Sequence, residues 1–251
     1  MDDMDAGDAD GIENTPHSPS PRQKRKPNRG PKSINNFYDL KKYIEGKAYD
    51  KEVGAAIDGD GRLGSVADEG NIILWLNEIF DDTNVEVIKP PARYWYDIEL
   101  KIGSKSYYTN IKTTAGGADN ISSKEGVLYY LSGGKTSDYK TFIKTRSQFK
   151  LNTGDETADY FLLVMFKNSK KIIFTSLGRL GDLTPNFYNQ PFQIPWNKKS
   201  NQDGNANGRS PMEQRQYVAS VWYRSISMGM EKLDYLRNLF KGISGKYVRE
   251  D

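Results

Sequence analysis

Two short stretches of the sequence carry side chains that suit a metal ion and a phosphate group. The first reads YWYDIELKI and contains Asp97 and Glu99, and the second reads KSYYTNIKTT and contains Asn110 and Lys112. Carboxylate and amide oxygens are the ligands that hard cations such as Mg²⁺ prefer. A lysine beside such an ion can stabilise negative charge that develops on a phosphate. These four residues are therefore the first candidates for a catalytic site.

The two stretches are predicted to form a β-hairpin that brings the polar side chains together. Gly and Ser at 103–104 suit a two-residue loop with glycine at its first central position, so that Ile102 faces Lys105. Counting onward along both strands places Asp97 opposite Asn110. Because side chains alternate along a strand and opposed residues lie ~5 Å apart, one face gathers all four candidates. An ordinary solvent-exposed hairpin face has the same pattern, and that alternative stays open here.

The composition excludes several kinds of chemistry. The sequence has no cysteine, and its single histidine, His17, lies among serines and prolines near the N-terminus. Disulfides, thiolate nucleophiles and cysteine-ligated metals are therefore excluded. The composition also excludes sites that need a histidine in the folded region. These are a Ser-His-Asp triad, a histidine-ligated zinc and the active site of an HNH-type nuclease. A metal enzyme built from this chain needs oxygen ligands, which favours Mg²⁺, with Mn²⁺ as a substitute.

The overall charge and hydropathy indicate a water-soluble protein without a strong electrostatic field. The net charge is +3 over 251 residues, so any basic surface must be local. No apolar run approaches the ~20 residues that a membrane span requires, and no signal-peptide pattern is present. We therefore expect a cytoplasmic protein with no membrane partner.

The N-terminal region is predicted to be a disordered, charged tail. Residues 1–33 have no aromatic and almost no large apolar side chains, so burial cannot offset the entropy that ordering would cost. The tail is acidic in its first half and basic from Arg22 to Lys32. It is either a solvated linker or a basic arm that touches phosphates.

The remainder of the chain is predicted to fold as helices around a sheet. The stretch FYDLKKYIEG and the longer SVADEGNIILWLNEIFDD have helical apolar spacing, the second with Ser65 as its N-cap. Short β-like runs follow, and two nearly continuous apolar runs are typical of central strands. The late helices are expected at about 211–228 and 229–241. This order of elements indicates an α/β (α+β) chain with a central mixed β-sheet flanked by helices.

The hairpin and the sequence after it resemble a nuclease family. An Asp on one strand, then an acidic or amide residue, one apolar residue and a Lys on the next, is similar to the PD-(D/E)xK motif, here WYD at 95–97 and NIK at 110–112. The stretch YLSGGKTSDYKTFIK at 130–144 looks like the region after the catalytic lysine in type II restriction endonucleases of the EcoRV-like branch. The order of elements matches over roughly residues 60–240, whereas recognisable sequence is confined to these two parts.

The resemblance implies a restriction-endonuclease-like fold and Mg²⁺-dependent hydrolysis of DNA phosphodiesters. Residues 34–251 would form a single nuclease domain with a catalytic hairpin at 94–114. Asp97 would be the principal metal ligand, with Asn110 at the second ligand position and the Ile111 carbonyl as a third oxygen. Lys112 would orient or activate water and offset charge on the phosphorane. Glu69, on the preceding helix, matches the auxiliary acidic position of such enzymes.

Two positions depart from the family pattern. Tyr96 stands where a proline usually precedes the Asp, which changes the backbone rather than the chemistry. Asn110 replaces a carboxylate and so removes one negative charge from the metal site, unless Glu99 or Glu69 supplies it. Some enzymes of the broad family use an amide there, and an inactivated Asp→Asn variant would have the same sequence.

Several polar segments are candidates for DNA contacts. A Gly-broken loop at about 198–210 has the Asn, Gln and Arg content of a recognition loop, because these side chains pair with base edges; a flexible surface loop is the alternative. The stretch KPPARYWYD, the stretch SGGKTSDYK and the end of the catalytic strand carry groups that suit phosphates. The candidate residues are Lys89, Arg93, Thr113, Thr114, Lys135, Thr136, Ser137, Lys140, Lys198, Lys199, Asn201, Gln202, Asn205, Asn207 and Arg209.

The sequence therefore predicts a type II restriction endonuclease that acts as a homodimer on a short palindromic site in double-stranded DNA, because protein symmetry mirrors site symmetry. Two alternatives remain. One is a structure-specific repair or junction-resolving nuclease of the same fold. The other is a sequence-specific DNA-binding protein with weakened catalysis.

Overall fold

The computed structural model describes four segments of the chain: 32–50, 61–121, 123–145 and 158–244. The predicted tail at 1–33 lies outside these residues apart from its last two. The backbone N–H of Lys32 donates to the carbonyl of Asp82 at 3.0 Å, and Ile34 is buried. Lys32 and Ile34 are thus part of the described fold.

Six α-helices, one short 3₁₀ helix (Leu177–Arg179) and eight strands are present in the described segments. The helices are α1 (Phe37–Glu45), α2 (Gly61–Phe80), α3 (Lys124–Leu131), α4 (Tyr139–Thr145), α5 (Lys199–Asp203) and α6 (Pro211–Ser244). The strands are β1 (Val85–Ile88), β2 (Ile98–Ile102), β3 (Lys105–Thr114), β4 (Ala118–Ile121), β5 (Phe161–Phe166), β6 (Ile172–Ser176), β7 (Thr184–Pro185) and β8 (Phe192–Pro195).

The central sheet is mixed. Its strand order is β1-β2-β3-β5-β6, and a smaller three-stranded sheet has the order β4-β8-β7. In the central sheet β3 and β5 are parallel, and the other neighbouring strands are antiparallel. The predicted mixed α/β class with helices around a central sheet is confirmed.

The central strand β5 explains how the layers are held together. All six of its residues are buried, as expected for a continuous apolar run with a layer on each face. Leu163 packs into the apolar cluster that contains α1 and α2 residues, whereas Leu162 and Val164 pack into the cluster that contains α3, α6 and the small sheet. Each such side chain contributes about 1.5–3 kcal/mol by burial. The sheet is therefore the rigid support on which the hairpin is fixed.

Helix α1 forms where the sequence predicts it. Asn36 caps its N-terminus, because its side-chain oxygen accepts from the N–H groups of Tyr38 and Asp39. Phe37, Leu40 and Ile44 share one face and are buried. A cap of this kind contributes about 1 kcal/mol.

Three predicted boundaries differ from the structure. Helix α2 begins at Gly61, so Ser65 lies inside it and is not its N-cap. The two late helices predicted at 211–228 and 229–241 are one continuous helix, since Gly229 is buried against Phe187 and does not interrupt it. Strand β2 begins at Ile98, four residues later than the stretch YWYDIELKI suggests.

None of the described helices combines the length and the apolar character that crossing a membrane requires.

Candidate active site

The hairpin register that the sequence predicts is confirmed. Ile102 pairs with Lys105, and the ladder continues one residue at a time to Ile98 opposite Thr109. Gly103 adopts φ = 58°, the left-handed conformation that the first central position of the loop requires. Because the ladder has no bulge, the next residue back along the chain, Asp97, reaches Asn110.

Asp97 is fixed at the point where β2 ends. Its backbone N–H donates to the Thr109 carbonyl at 3.0 Å. Its side-chain Oδ2 accepts two hydrogen bonds, from Asn110 Nδ2 at 2.7 Å and from the backbone N–H of Ile111 at 2.7 Å. The carboxylate thus accepts the Ile111 N–H, which a backbone carbonyl would accept if β2 were longer.

The amide of Asn110 is oriented by this contact. Its NH₂ group must face Asp97, because its oxygen would repel an ionised carboxylate at the same distance. The amide oxygen is then turned away from Asp97 Oδ2 and is a possible cation ligand. Asn110 therefore holds Asp97 in place and can still supply the oxygen predicted for it.

The Ile111 carbonyl lies on the same edge of β3 as Asp97. The Thr114 carbonyl accepts from Lys167 N–H beyond the end of β5, so even-numbered residues of β3 direct their backbone groups toward β5. Backbone directions alternate along a strand, so both the N–H and the carbonyl of Ile111 point to the opposite edge. The N–H is used by Asp97. The carbonyl predicted as the third oxygen is thus on the correct side of the strand.

The pKa of the Asp97 carboxyl shows which charged groups act on it. Its pKa is raised to about 6, chiefly because burial disfavours the charged form; the hydrogen bond from Ile111 lowers the pKa. The negative charge of Glu69 raises the pKa, and the positive charge of Lys112 lowers it. Glu69 lies within α2, so the helix brings a second carboxylate to the hairpin. The structure thus brings together Asp97, Asn110, Ile111, Lys112 and Glu69.

Glu69 and Lys112 are not engaged by other described groups. Within the part of the chain that the structure describes, neither makes a hydrogen bond or an ion pair. Both are half-buried, so each is held near Asp97 without being neutralised by direct contact. A carboxylate and an ammonium group in this state are available to a ligand.

The residues fit a Mg²⁺ ion, although no cluster of three or more His, Cys, Asp or Glu residues occurs in the described segments. Mg²⁺ commonly takes one or two carboxylates and keeps several water molecules. Asp97 and Glu69 supply two carboxylates, and both described hydrogen bonds to the Asp97 carboxylate go to Oδ2, which leaves Oδ1 available. The amide oxygen of Asn110 and the Ile111 carbonyl add neutral oxygens.

Two residues that the sequence does not single out position the segment before Asp97. The carbonyl of Trp95 accepts a hydrogen bond from Ser123 Oγ at 3.0 Å and another from Tyr160 Oη at 3.1 Å. The Trp95 ring also contacts Tyr96, Tyr108, Tyr129 and Tyr160. Dense aromatic content in both strands was the available signal, but the partners come from distant parts of the chain.

Glu99 does not belong to the cluster as predicted. Its side chain accepts a hydrogen bond from Ser106 Oγ, nearer the hairpin loop. Ser106 is two residues from Tyr108, toward the hairpin loop, and Tyr108 faces Glu99 directly. Glu69 is therefore the second carboxylate, because its negative charge raises the pKa of Asp97.

The predicted phosphate-binding residues divide by exposure. Lys89, Arg93, Lys135 and Lys140 are exposed, and Thr113 is half-buried. Thr136 and Ser137 are also half-buried. The backbone N–H and carbonyl of Thr136 are both bonded to Ser132 Oγ, which fixes the turn after α3.

The prediction that Thr114 contacts DNA is wrong. It is 1% exposed, and its Oγ1 accepts the backbone N–H of Gly116 at 3.0 Å. Because the side chain stabilises the turn after β3 and is covered by protein, it cannot contact a phosphate in this conformation.

Most polar side chains of the predicted recognition loop are bound within the protein. Asn201 is fully buried; it accepts from Asp182 N–H and donates to the carbonyls of Asp182 and Pro195. Gln202 donates to the Trp196 carbonyl and accepts from Lys171 Nζ, each at 2.6 Å. The DNA-binding role predicted for Asn201 is therefore corrected to a structural one.

The second half of this loop has the same character. Arg209 donates to the carbonyls of Leu180 and Gly181 and to the side chain of Gln214, so its guanidinium is used by protein acceptors. Asn207 donates to Gly181, and the side chain of Asn205 accepts the N–H of Asn207. Two lysines, Lys198 and Lys199, remain exposed. The segment also contains the short helix α5, so it is not an irregular loop throughout.

No protein-family model and no curated protein matches the chain.

Proposed function

We propose that the protein is a Mg²⁺-dependent endodeoxyribonuclease of the PD-(D/E)xK type with a restriction-endonuclease-like fold. It would be a type II restriction endonuclease that cuts double-stranded DNA at a short palindromic site. The observation that carries this proposal is the contact of Asp97 Oδ2 with both Asn110 and Ile111, with Lys112 close enough to lower the Asp97 pKa. This arrangement is the hairpin geometry that the WYD and NIK sequences imply.

Each residue has a role that its position supports. Asp97, Glu69 and the oxygens of Asn110 and Ile111 would hold Mg²⁺, which when bound polarises a phosphate oxygen and lowers the pKa of water. Lys112 would hold the scissile phosphate and offset its growing negative charge. Ser123 and Tyr160 would keep the backbone at Trp95 fixed, and with it the position of Asp97.

Homodimer formation is supported by exposed apolar side chains in the C-terminal half of α6. Ile226, Met230 and Leu233 lie at i, i+4 and i+7 and are 39%, 61% and 57% exposed. Such spacing makes an apolar stripe along one side of a helix. Residues of both charge signs flank it, including Lys232 and Asp234. A stripe of this kind suits pairing with the same stripe of a second copy, related by a two-fold axis.

DNA binding is supported by exposed lysine and arginine side chains that lie close to the candidate site in the sequence. Lys89 and Arg93 lie on the segment that leads to Asp97, and Arg93 has φ = 64°. Lys135 and Lys140 follow α3, whose Tyr129 contacts the aromatic rings beside the hairpin. We propose that these side chains bind phosphates and that Lys198 and Lys199 do so from the predicted recognition loop.

The test is digestion of plasmid DNA with Mg²⁺ or Mn²⁺, followed by sequencing of the product ends. Discrete fragments with one sequence at every end support the proposal. Cuts that follow DNA structure rather than sequence would instead identify a repair or resolving nuclease. Lys112→Ala should reduce cutting by about 10²–10³-fold while DNA binding persists, a loss typical for a group that stabilises transition-state charge.

Lys105→Ala is the matched control, because Lys105 is an exposed lysine on the same strand, beside the hairpin loop. Its substitution removes the same charge and should leave the cutting rate within about twofold. Equal rates for the two variants would remove Lys112 from the catalytic site.

A second candidate function is sequence-specific DNA binding without efficient cutting. The Asn110–Asp97 hydrogen bond favours it, because an amide stabilises the site without a metal and supplies one charge fewer than a carboxylate. This candidate predicts specific retention of one DNA sequence and no cutting at any Mg²⁺ or Mn²⁺ concentration.

A further inference from the structure

A cavity separate from the hairpin lies beside the start of β5 and the end of β6. Its volume is about 820 Å³, within the range of small-molecule sites. Its walls come from the N-terminal part of α1, from the turn after β6 and from residues 204–212. Asp97, Glu69, Asn110 and Lys112 do not line it.

The cavity wall carries positive charge that no described carboxylate neutralises by contact. Arg179, Arg209 and Arg215 line it, and none of them forms an ion pair with a described residue. Arg215 is 4% exposed, and its Nε donates to the Tyr130 carbonyl at 3.1 Å. The wall has one acidic residue, Asp159. Guanidinium groups that face no carboxylate partner attract an anion.

A buried hydroxyl in the same wall also lacks a partner. Tyr130 is 1% exposed, and its Oη makes no hydrogen bond with any described group. Buried polar atoms in proteins are almost always paired, so an unpaired one at a cavity indicates a ligand atom or a water molecule. Tyr130 stacks against Arg215, with 4.6 Å between the guanidinium carbon and the ring centroid, and both residues line the cavity.

Aromatic rings complete the wall. The guanidinium carbon of Arg179 lies 4.4 Å from the ring centre of Phe37 and 4.6 Å from that of Tyr38. Phe37 is buried, whereas Tyr38 is 60% exposed and forms an open edge of the cavity. Aromatic and guanidinium planes are common stacking surfaces for nucleobases.

The N-terminus of α6 is not the group that would attract an anion to the cavity, because its N–H groups are capped within the protein. Ser210 and Glu213 cap it reciprocally: the Ser210 N–H donates to the Glu213 carboxylate at 2.7 Å, and the Glu213 N–H donates to Ser210 Oγ. The anion-attracting groups are therefore the arginine side chains.

We propose that this cavity binds a nucleotide through its phosphate monoester. Arg179 and Arg215 hold the phosphate, and the Tyr130 hydroxyl donates a hydrogen bond to it. The base stacks on the aromatic edge formed by Tyr38, and Asp159 accepts a hydrogen bond from a sugar hydroxyl or a base amino group. The ligand is either a free mononucleotide or the 5′-phosphate end of a DNA strand, since both carry the same group.

Calorimetric titration tests the proposal without DNA cleavage. The protein carries Lys112→Ala, and the buffer contains a chelator, so oligonucleotides stay intact and the hairpin site holds no metal. The probes are AMP, dAMP, adenosine, inorganic phosphate, and one short oligonucleotide with either a 5′-phosphate or a 5′-hydroxyl. We expect the phosphorylated probe of at least one pair to bind at least about tenfold more tightly than its unphosphorylated counterpart, the factor for a charge-assisted contact.

Two variants locate the binding. Arg179→Gln should weaken phosphate-dependent binding by about tenfold or more, whereas Arg224→Gln removes the same charge from an exposed position on α6 and should have no effect. Tyr130→Phe should also weaken binding, and because it removes an unpartnered hydroxyl it should not lower the unfolding temperature. Equal losses in the Arg179 and Arg224 variants, unchanged binding in the Tyr130 variant, or no binding of any phosphorylated probe at millimolar concentration would each overturn the proposal.

Discussion

Replacement of Asn110 by Asp tests the central contact of the site. In the structure the Asn110 amide donates to Asp97 Oδ2 at 2.7 Å. Asn110→Asp would place a second carboxylate at this distance. The family pattern favours a carboxylate at this position for metal binding, whereas the geometry predicts that it destabilises the metal-free protein. The variant therefore separates stability from metal affinity.

The size of the effect follows from the distance. Two unit charges 2.7 Å apart repel by about 6 kcal/mol at an effective dielectric constant of about 20. The pair can share a proton, because the Asp97 pKa is already raised to about 6, and side-chain movement relieves part of the remainder. Including the lost charge-assisted hydrogen bond, we expect a loss of about 2–4 kcal/mol in unfolding free energy at pH 7. The unfolding temperature should fall by about 4–16 °C.

Thermal unfolding in chelator and in Mg²⁺ or Mn²⁺ measures both effects. The variant should be less stable than the wild type in chelator and should gain more stability from the metal, because the added charge strengthens binding. The matched control is the double variant Asp97→Asn with Asn110→Asp, which reverses the donor and acceptor and retains the hydrogen bond. It should regain most of the stability in chelator. Undiminished stability of Asn110→Asp in chelator would refute the contact between the two side chains.

Three further substitutions test other parts of the site. The pKa of Asp97 is raised from 3.8 to about 6, so between these pH values the folded state holds the proton more tightly than the unfolded state, and stability falls as the pH rises. Asp97→Asn should abolish this decline. Measured by urea unfolding, the stability of the variant minus that of the wild type should be about 1–3 kcal/mol larger at pH 7 than at pH 4. Glu69→Gln should lower the Asp97 pKa and raise several-fold the Mg²⁺ concentration for half-maximal cutting, whereas an unchanged Mg²⁺ dependence would place Glu69 outside the metal site. Asn201→Ala removes three hydrogen bonds to the backbone of Asp182 and Pro195 and should cost about 2–5 kcal/mol in unfolding free energy, with the cut sequence unchanged; a stable variant with altered specificity would contradict its structural role.

The hairpin that contains Asp97 and Asn110 was predictable because its determinants are local. A two-residue loop fixes the register, and alternation then fixes which side chains share a face, so Asp97 and Asn110 meet without any knowledge of the remaining fold. The alternating and continuous apolar patterns likewise located most strands. The class of the fold followed from their order.

The predicted recognition loop shows where local reasoning fails. Asn201 and Arg209 have side chains that suit base edges, but they also suit backbone carbonyls, and the choice depends on which carbonyls lie nearby. These acceptors belong to residues about 6 to 29 positions away in the chain. The roles of Ser123 and Tyr160 at Trp95 were not predictable for the same reason.

The aromatic cluster before Asp97 also has an optical consequence. Trp95 is half-buried among four tyrosines with ring centres 4.8–5.8 Å away, whereas Trp75, Trp196 and Trp222 are buried elsewhere. Light absorbed by these tyrosines is passed to the neighbouring indole. Because Trp95 lies two residues from Asp97, a change in its emission on addition of Mg²⁺ or DNA is a label-free test of binding at the candidate site.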